Sequence, residues 1–269
     1  MKKPLLPIIS ILALATVPTL AQERGEFTFS STAVSAYIFR GEKIGGPSFQ
    51  PALEYAQGPL ALGVFASFPM DKKWSDTEYP EIDFYGSYEI SVVPDVFSVT
   101  SGFSVYSYPT AKKEEGWYKA YYEPYVKLGY RFHEALFSFT VYYDLTQNGA
   151  IYEVGAEYSL PVKPIGTELE LSAFMGRFSL SNVEAYASPK VGKSGNYMQA
   201  GVSAPYEITE KSKITAGIYY ARGCDNNYKY KHVIPAPGDP SVYTLVKAKE
   251  PNPNAVGRVF LSASYSYIF

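Results

Sequence analysis

The segment Val259–Phe269, VFLSASYSYIF, decides the fold of this chain. Its odd-numbered positions are all apolar or aromatic, whereas the even-numbered positions from Ser262 to Ser266 are all serine. A repeat of two residues is typical of a β-strand with one apolar and one polar face. Because the chain ends on this pattern, we expect the strand to pair on both edges rather than to run into a loose tail.

Eleven earlier segments repeat the same alternation, and no amphipathic helix is evident between them. Each has about the 9–11 residues, or slightly more, that a tilted strand needs to cross a bilayer. The candidate strands begin at Phe27, Ser48, Pro59, Glu81, Asp95, Tyr118, Glu134, Ala150, Thr167, Asn196 and Ser212. Together with the terminal segment they predict an all-β fold of about 12 strands.

The connections between these strands alternate in length. Tight turns surround Gly58, Pro94 and His133, and the intervening connections are mostly longer and charged; only TQNGA, residues 146–150, breaks the rule. Outer-membrane barrels combine short periplasmic turns with longer extracellular loops, whereas a soluble sandwich has no reason to sort its loops. We therefore predict a transmembrane antiparallel up-and-down β-barrel in the bacterial outer membrane. Both termini would be periplasmic, and the last strand would close against the first, near Phe27–Phe39.

The amino terminus reads as an export signal. Two lysines precede an apolar run from Leu5 to Val17, and Thr19-Leu20-Ala21 offers a small-residue cleavage site. An amino-terminal membrane anchor is the alternative, but the run is shorter than about 20 residues and contains prolines. We predict a signal peptide over residues 1–21 and an outer-membrane barrel domain over residues 22–269.

Composition argues against several other functions. The net charge of −2 has no basic excess that would indicate nucleic-acid binding, and the single Cys224 permits no disulfide within the chain. The two histidines, His133 in a tight turn and His232 in the longest loop, do not face a nucleophile or form a metal-binding cluster. We therefore predict no catalytic residues, no metal site and no cofactor, so the protein is not expected to be an enzyme.

Residues Val34–Tyr55, VSAYIFRGEKIGGPSFQPALEY, resemble the opening hairpin of the TorF-type porins. The shared features are a strand that ends in Phe39-Arg40-Gly41, a short loop, and a second strand that contains Pro51 and Tyr55. The resemblance covers only the first part of the mature chain. It implies a bacterial outer-membrane barrel that passes small solutes, and it does not specify which solute.

Charged residues on the polar strand faces would line the lumen if the apolar faces contact lipid. The lumen-lining charges that we predict are Arg40, Glu54, Asp83, Glu89, Lys119, Glu123, Lys127, Arg131, Asp144, Glu153, Glu157, Glu168, Glu170 and Lys213. Acids outnumber bases in this set, so an open pore is expected to prefer cations modestly. The alternative is that these charges pair with one another and fill the barrel with a polar core.

The sequence thus predicts a narrow channel for passive diffusion of small hydrophilic solutes or ions. A barrel without a pore, acting as a surface scaffold or adhesin through its loops, is the alternative. The expected partners are outer-membrane lipid, lipopolysaccharide and the barrel assembly machinery, for which Tyr265, Tyr267 and Phe269 would form the terminal signal. Two alternating segments in the Cys224–Val256 loop predict an additional hairpin, whose role is left open.

Overall fold

The structure is a computed structural model of the chain. It describes residues 25–71, 79–111, 118–162, 167–183, 192–224, 231–236, 239–247 and 253–269. The predicted signal peptide, residues 1–21, lies outside the described residues. Within the part of the chain that is described, no helix is both long and apolar enough to cross a membrane.

Sixteen β-strands and one short 3-10 helix make up the described fold. The strands are β1 (Glu26–Val34), β2 (Tyr37–Phe39), β3 (Glu42–Gly45), β4 (Ser48–Gln57), β5 (Leu60–Pro69), β6 (Glu81–Val93), β7 (Phe97–Ser107), β8 (Ala120–Phe132), β9 (Ala135–Asp144), β10 (Gly149–Val162), β11 (Thr167–Leu180), β12 (Lys193–Thr209), β13 (Ser212–Gly223), β14 (Lys231–Ala236), β15 (Asp239–Lys247) and β16 (Arg258–Ile268). Twelve of them, β1, β4 to β13 and β16, form one closed antiparallel barrel. The predicted fold is therefore confirmed.

The barrel closes where its last strand meets its first. Strand β16 pairs with β1 from Thr28 opposite Ile268 to Val34 opposite Ser262, and β1 pairs on its other edge with β4. Closure leaves no barrel strand with an unpaired edge, which is the condition that a bilayer imposes on backbone hydrogen bonds. The expectation that the terminal strand closes against the first is thus confirmed.

The extent of the first strand was predicted wrongly. The alternation continues from Phe27 to Phe39, but β1 ends at Val34. Residues 37–39 form β2, which leaves the barrel wall and pairs with β3 in a separate two-stranded sheet. A strand that turns out of the wall keeps the period of two, so the pattern alone does not reveal the break.

The two faces of each barrel strand differ in polarity, and the apolar face is the exposed one. Phe84 is 54% exposed, whereas its strand neighbour Asp83 is 1% exposed; Val259 and Leu261 are 63% and 55% exposed and flank the buried Phe260. A soluble protein would expose its polar side chains instead. An apolar outer wall around a polar interior is the arrangement of a barrel embedded in lipid.

Short turns collect at one end of the barrel, here called the turn end. The turns contain left-handed residues, including Gly58, Asp95 and His133, whose φ angles are 55°, 60° and 52°. Such angles fit tight hairpin turns. The first residues of β1 and the last residues of β16 lie at this end, and most longer connections lie at the opposite, long-loop end. Because short turns face the periplasm in such barrels, we expect the long-loop end to face outward.

The native thiol provides a test of this orientation. Cys224 follows β13 at the long-loop end and is exposed. A maleimide coupled to a polymer too large to cross the outer membrane is therefore expected to label wild-type protein on intact cells. A Cys224→Ser/His133→Cys variant moves the thiol to a turn at the opposite end, so it is expected to react only after the membrane is permeabilised. The reverse labelling pattern would invert the orientation.

The predicted hairpin in the long Cys224–Val256 connection is also confirmed. Strand β14 pairs antiparallel with β15, with Lys231 opposite Lys247 and Ile234 opposite Thr244. These two strands form a sheet of their own, separate from the barrel wall.

Candidate functional site: a hairpin across the lumen

The β2–β3 hairpin projects from the barrel wall between β1 and β4. Its turn is formed by Arg40 and Gly41, whose φ angles are 49° and 76°, a pair of left-handed residues as in the tightest hairpins. A side chain at position 41 would also collide with the wall, because a Cβ atom there would lie 2.5 Å from the carbonyl oxygen of Arg222 on β13. The Gly41 position therefore requires glycine for both reasons.

A bidentate ion pair fixes the tip of the hairpin to one side of the barrel. The Nη1 and Nη2 atoms of Arg40 donate to the two carboxylate oxygens of Glu123 on β8, at 2.8 and 2.7 Å. The Tyr106 hydroxyl on β7 donates a third hydrogen bond to Glu123, at 3.1 Å. The guanidinium also lies 5.0 Å from the ring centroid of Tyr142 on β9. Glu123 is only 1% exposed, so this geometry compensates a carboxylate that has been removed from water.

The charge on Arg40 is maintained by its partner. Burial alone would lower the pKa of the guanidinium, but the Glu123 carboxylate reverses this effect, and the pKa of Arg40 is raised above its usual value.

Two further polar contacts hold the flanks of the hairpin. The hydroxyl of Tyr37 donates to Glu81 on β6 at 2.7 Å, and Glu81 accepts a second hydrogen bond from Tyr108 at 2.8 Å. On the other side, Glu42 forms an ion pair with Lys193 on β12, with 2.7 Å between Oε2 and Nζ. These contacts join the hairpin to wall strands that are not neighbours of β1 or β4.

An apolar contact completes the attachment. Ile38 is 4% exposed and packs with Tyr219, Ala221 and Phe260, on β13 and β16. In the order of the barrel, β12, β13 and β16 lie opposite β6, β7 and β8. The hairpin thus contacts both sides of the wall and crosses the lumen.

Most of the predicted lumen charges occupy inward positions of the alternating strands. These are Glu54, Asp83, Glu89, Glu123, Lys127, Arg131, Asp144, Glu153, Glu157, Glu168, Glu170 and Lys213, and Arg40 reaches the lumen through the hairpin. Lys119 differs, because it precedes β8 and is exposed at the long-loop end instead of lying in the wall.

The inward charges form two levels. Around the hairpin, Glu81, Asp83 and Glu123 lie in the half of the barrel near the long loops. Nearer the turn end, Tyr85 donates to Glu54 at 3.1 Å and Ser203 donates to Glu170 at 3.1 Å. The lower level also holds Glu89, Glu157 and Glu168, together with Lys127 and Arg131 of β8 and Lys213 of β13.

The side chain of Asp144 stabilises the turn that follows β9. Its Oδ1 accepts hydrogen bonds from the backbone N–H groups of Thr146 and Gln147, at 2.8 and 2.7 Å. This is the usual way in which an aspartate side chain stabilises a turn. The contacts explain how the short TQNGA connection is held at the long-loop end.

Two of the hairpin contacts, Tyr37 with Glu81 and Glu42 with Lys193, involve three charged residues that were not among the predicted lumen charges: Glu81, Glu42 and Lys193. Glu81 shares the parity of Asp83 on β6, so the alternation could have identified it. Glu42 and Lys193 carry no comparable signal, because their pairing joins residues 151 positions apart through the closed barrel. Among the residues that are described, no group of three or more His, Cys, Asp or Glu side chains is placed to hold a metal ion.

A closed barrel with an apolar outer wall and a polar, charged interior defines a β-barrel protein of the bacterial outer membrane. The chain belongs to the family described as "Bacterial protein of unknown function (Gcw_chp)", with the match covering residues 21–236. No curated protein matches it.

The barrel resembles that of a solved porin, and weaker similarities extend to other outer-membrane proteins. The NanC porin superposes with a TM-score of 0.51 at 11% identity, covering 89% of this chain and 98% of that chain. Omp33 of Acinetobacter baumannii gives a TM-score of 0.42 at 10% identity, covering 91% and 98%. An outer-membrane channel from Pseudomonas putida F1 gives a TM-score of 0.44 at 9% identity, covering 91% of this chain and 94% of that chain. At 11% identity the similarity to the NanC porin concerns the barrel fold alone.

Proposed function

We propose that the protein is a TorF-type porin, a narrow channel for passive diffusion of small hydrophilic solutes or ions, with its constriction at the β2–β3 hairpin. The observation that carries this proposal is a polar-lined barrel crossed by a hairpin that ion pairs hold in place. The polar lining continues below the hairpin, for example at Ser262, Ser264 and Ser266 on β16, all of which are partly accessible. The similarity of the barrel to the NanC porin agrees with this function.

The charge of the lining indicates the preferred solute. Glu153 and Glu157 lie on β10 and Glu170 lies on β11. Glu153 interacts with Arg40 and Lys127, and Glu170 interacts with Lys213 on β13. At the constriction, Arg40 is paired with Glu123, and Lys193 is paired with Glu42. Net negative charge along a pore favours cations over anions. The channel is therefore proposed to prefer small cations.

Conductance in a planar bilayer tests both the pore and its preference. Refolded protein is expected to conduct and to show a cation-selective reversal potential across a KCl gradient. Replacing Glu153, Glu157 and Glu170 together by glutamine removes three negative charges at nearly constant volume, so the reversal potential is expected to move toward zero. The shift should be largest at low salt, since wall charges act over about 10 Å at 0.1 M ionic strength.

The matched control changes three lipid-facing residues of the same region. Exchanging Val154, Ala156 and Leu160 for other apolar residues of similar size leaves the lining unchanged, so the reversal potential is expected to stay at the wild-type value. If a folded glutamine variant kept the wild-type reversal potential, these acids would not line the conducting path.

A barrel without a pore is the second candidate. Tight packing at the hairpin favours it, because Tyr197 is 0% and Tyr106 5% exposed on the adjoining wall. Its long loops would then carry the function as a surface scaffold or adhesin. Folded wild-type protein that never conducts would support this candidate and reject the channel.

Export and assembly complete the proposal. Residues 1–21 would direct the chain out of the cytoplasm, and the alternating aromatic end of β16 would be read by the barrel assembly machinery. Tyr265 and Tyr267 belong to the outward face of β16, and the backbone N–H of Phe269 donates to the carbonyl of Phe27 at 2.9 Å. The signal would therefore lie at the seam of the barrel.

A further inference from the structure

The outer wall of the barrel is almost free of charge. Among the outward positions of the described barrel strands, the charged residues are Arg177 on β11 and Arg222 on β13, and no acid occurs there. Residues two positions apart on a strand share a face. Met175 and Tyr220, two positions before Arg177 and Arg222, are 59% and 38% exposed, so both arginines lie on the outer face. The two arginines are separated by a single strand, β12, so they place two positive charges close together on an otherwise apolar surface.

Both arginines lie at the same height. Arg177 is three residues from the end of β11, and Arg222 is one residue from the end of β13, in each case at the long-loop end. In the register, Arg177 stands between Tyr152 on β10 and Asn196 on β12, and its Nη1 donates to Asn196 Oδ1 at 3.3 Å. Tyrosine, asparagine and arginine replace the apolar side chains at this level, which marks it as the interface between hydrocarbon and headgroups.

Strand geometry sets the separation of the pair. Arg222 lies opposite Met198 of β12, and Arg177 lies opposite Asn196 of the same strand. Two strand spacings of about 5 Å and an offset of two residues, about 7 Å along the strands, place the backbones about 12 Å apart. This separation is within the combined reach of two arginine side chains toward one anionic group. Guanidinium groups bind phosphate through paired, charge-assisted hydrogen bonds.

We propose that Arg177 and Arg222 form a binding site for the phosphate groups of lipopolysaccharide on the outer surface of the barrel. Positive side chains at the headgroup level of a wall without acids complement an anionic lipid. The outward orientation expected for the long-loop end assigns that lipid to the outer leaflet, whose major component in Gram-negative bacteria is phosphorylated lipopolysaccharide. This site does not depend on whether the lumen conducts.

The test uses full-length refolded protein in detergent with purified lipopolysaccharide as the probe. Wild-type protein is expected to bind intact lipopolysaccharide more tightly than the same material after enzymatic dephosphorylation. In an Arg177→Gln/Arg222→Gln variant, affinity for intact lipopolysaccharide is expected to fall by about tenfold, because two charge-assisted contacts are lost. The variant is expected to lose its preference between the two forms as well.

A charge-matched control removes two positive charges at the turn end. An Arg131→Gln/Lys211→Gln variant is expected to bind intact lipopolysaccharide as the wild type does. If this control lost as much affinity for lipopolysaccharide as the arginine variant, net charge alone would explain the effect and the site would be rejected. Unchanged affinity in the arginine variant would also reject the site. Tighter binding of phosphatidylglycerol vesicles than of lipopolysaccharide would assign the arginines to phospholipid and overturn the proposed ligand.

Discussion

Excision of the β2–β3 hairpin is expected to raise the single-channel conductance several-fold. The hairpin crosses the lumen and contacts both sides of the wall, so its removal takes backbone and side chains out of the proposed constriction. Its base is closed by a hydrogen bond from the N–H of Tyr37 to the carbonyl of Gly46, at 3.1 Å. A short Gly-Ser linker in place of residues 37–45 should therefore bridge the gap without straining β1 or β4.

The matched control removes the other extra hairpin, β14–β15, from its long connection. That deletion removes residues 231–247, more of the chain than the first deletion, but leaves the contacts to Glu123 and Glu81 in place, so conductance is expected to change little. Heat-modifiable electrophoretic mobility would show that both variants are folded barrels. If excision of β2–β3 left conductance unchanged in a folded barrel, the constriction would lie elsewhere.

Replacing Arg40 by alanine is expected to have the second large effect. The substitution leaves the Glu123 carboxylate, 1% exposed, without its counter-charge inside the barrel. Breaking one side of a buried ion pair typically costs about 3–5 kcal/mol of folding free energy. The urea midpoint of the barrel, followed by heat-modifiable mobility, should fall accordingly, and single-channel records should become noisier as the hairpin loosens.

Two companion variants separate the charge from the geometry. Arg40→Lys keeps the positive charge but not the paired hydrogen bonds, so its stability should lie between those of wild type and Arg40→Ala. Arg40→Met/Glu123→Leu removes both charges and is expected to recover much of the lost stability, since apolar residues can replace a buried pair. Equal stability of wild type and Arg40→Ala would show that the pair does not anchor the hairpin.

The barrel could be predicted from the sequence because strand alternation is a local property. From Leu261 to Tyr267 the polarity of each residue indicates which face of the strand it occupies, and the same holds for most residues of the other wall strands. Closure followed from the need to leave no edge exposed to lipid. Both predictions rest on rules that act within a strand or between sequence ends.

The hairpin could not be predicted by the same rules. Phe39 and Arg40 continue the alternation of β1, so they read as part of a wall strand. What places them in the lumen is the partner of Arg40, Glu123, which is 83 residues away and comes close only when the sheet curls. For the same reason Lys119 was assigned to the wall, because parity alone does not report where β8 begins.

The seam between β1 and β16 also orders events during folding. It joins Thr28 to Ile268, a separation of 268 − 28 = 240 residues, whereas Tyr37 meets Glu81 across 44 residues and Arg40 meets Glu123 across 83. Contacts between distant residues carry a larger loop-closure entropy and form later. The hairpin is therefore expected to dock on β6 and β8 while the sheet is still open. The sheet then rolls shut around an occupied interior, and the hairpin does not have to thread into a finished ring.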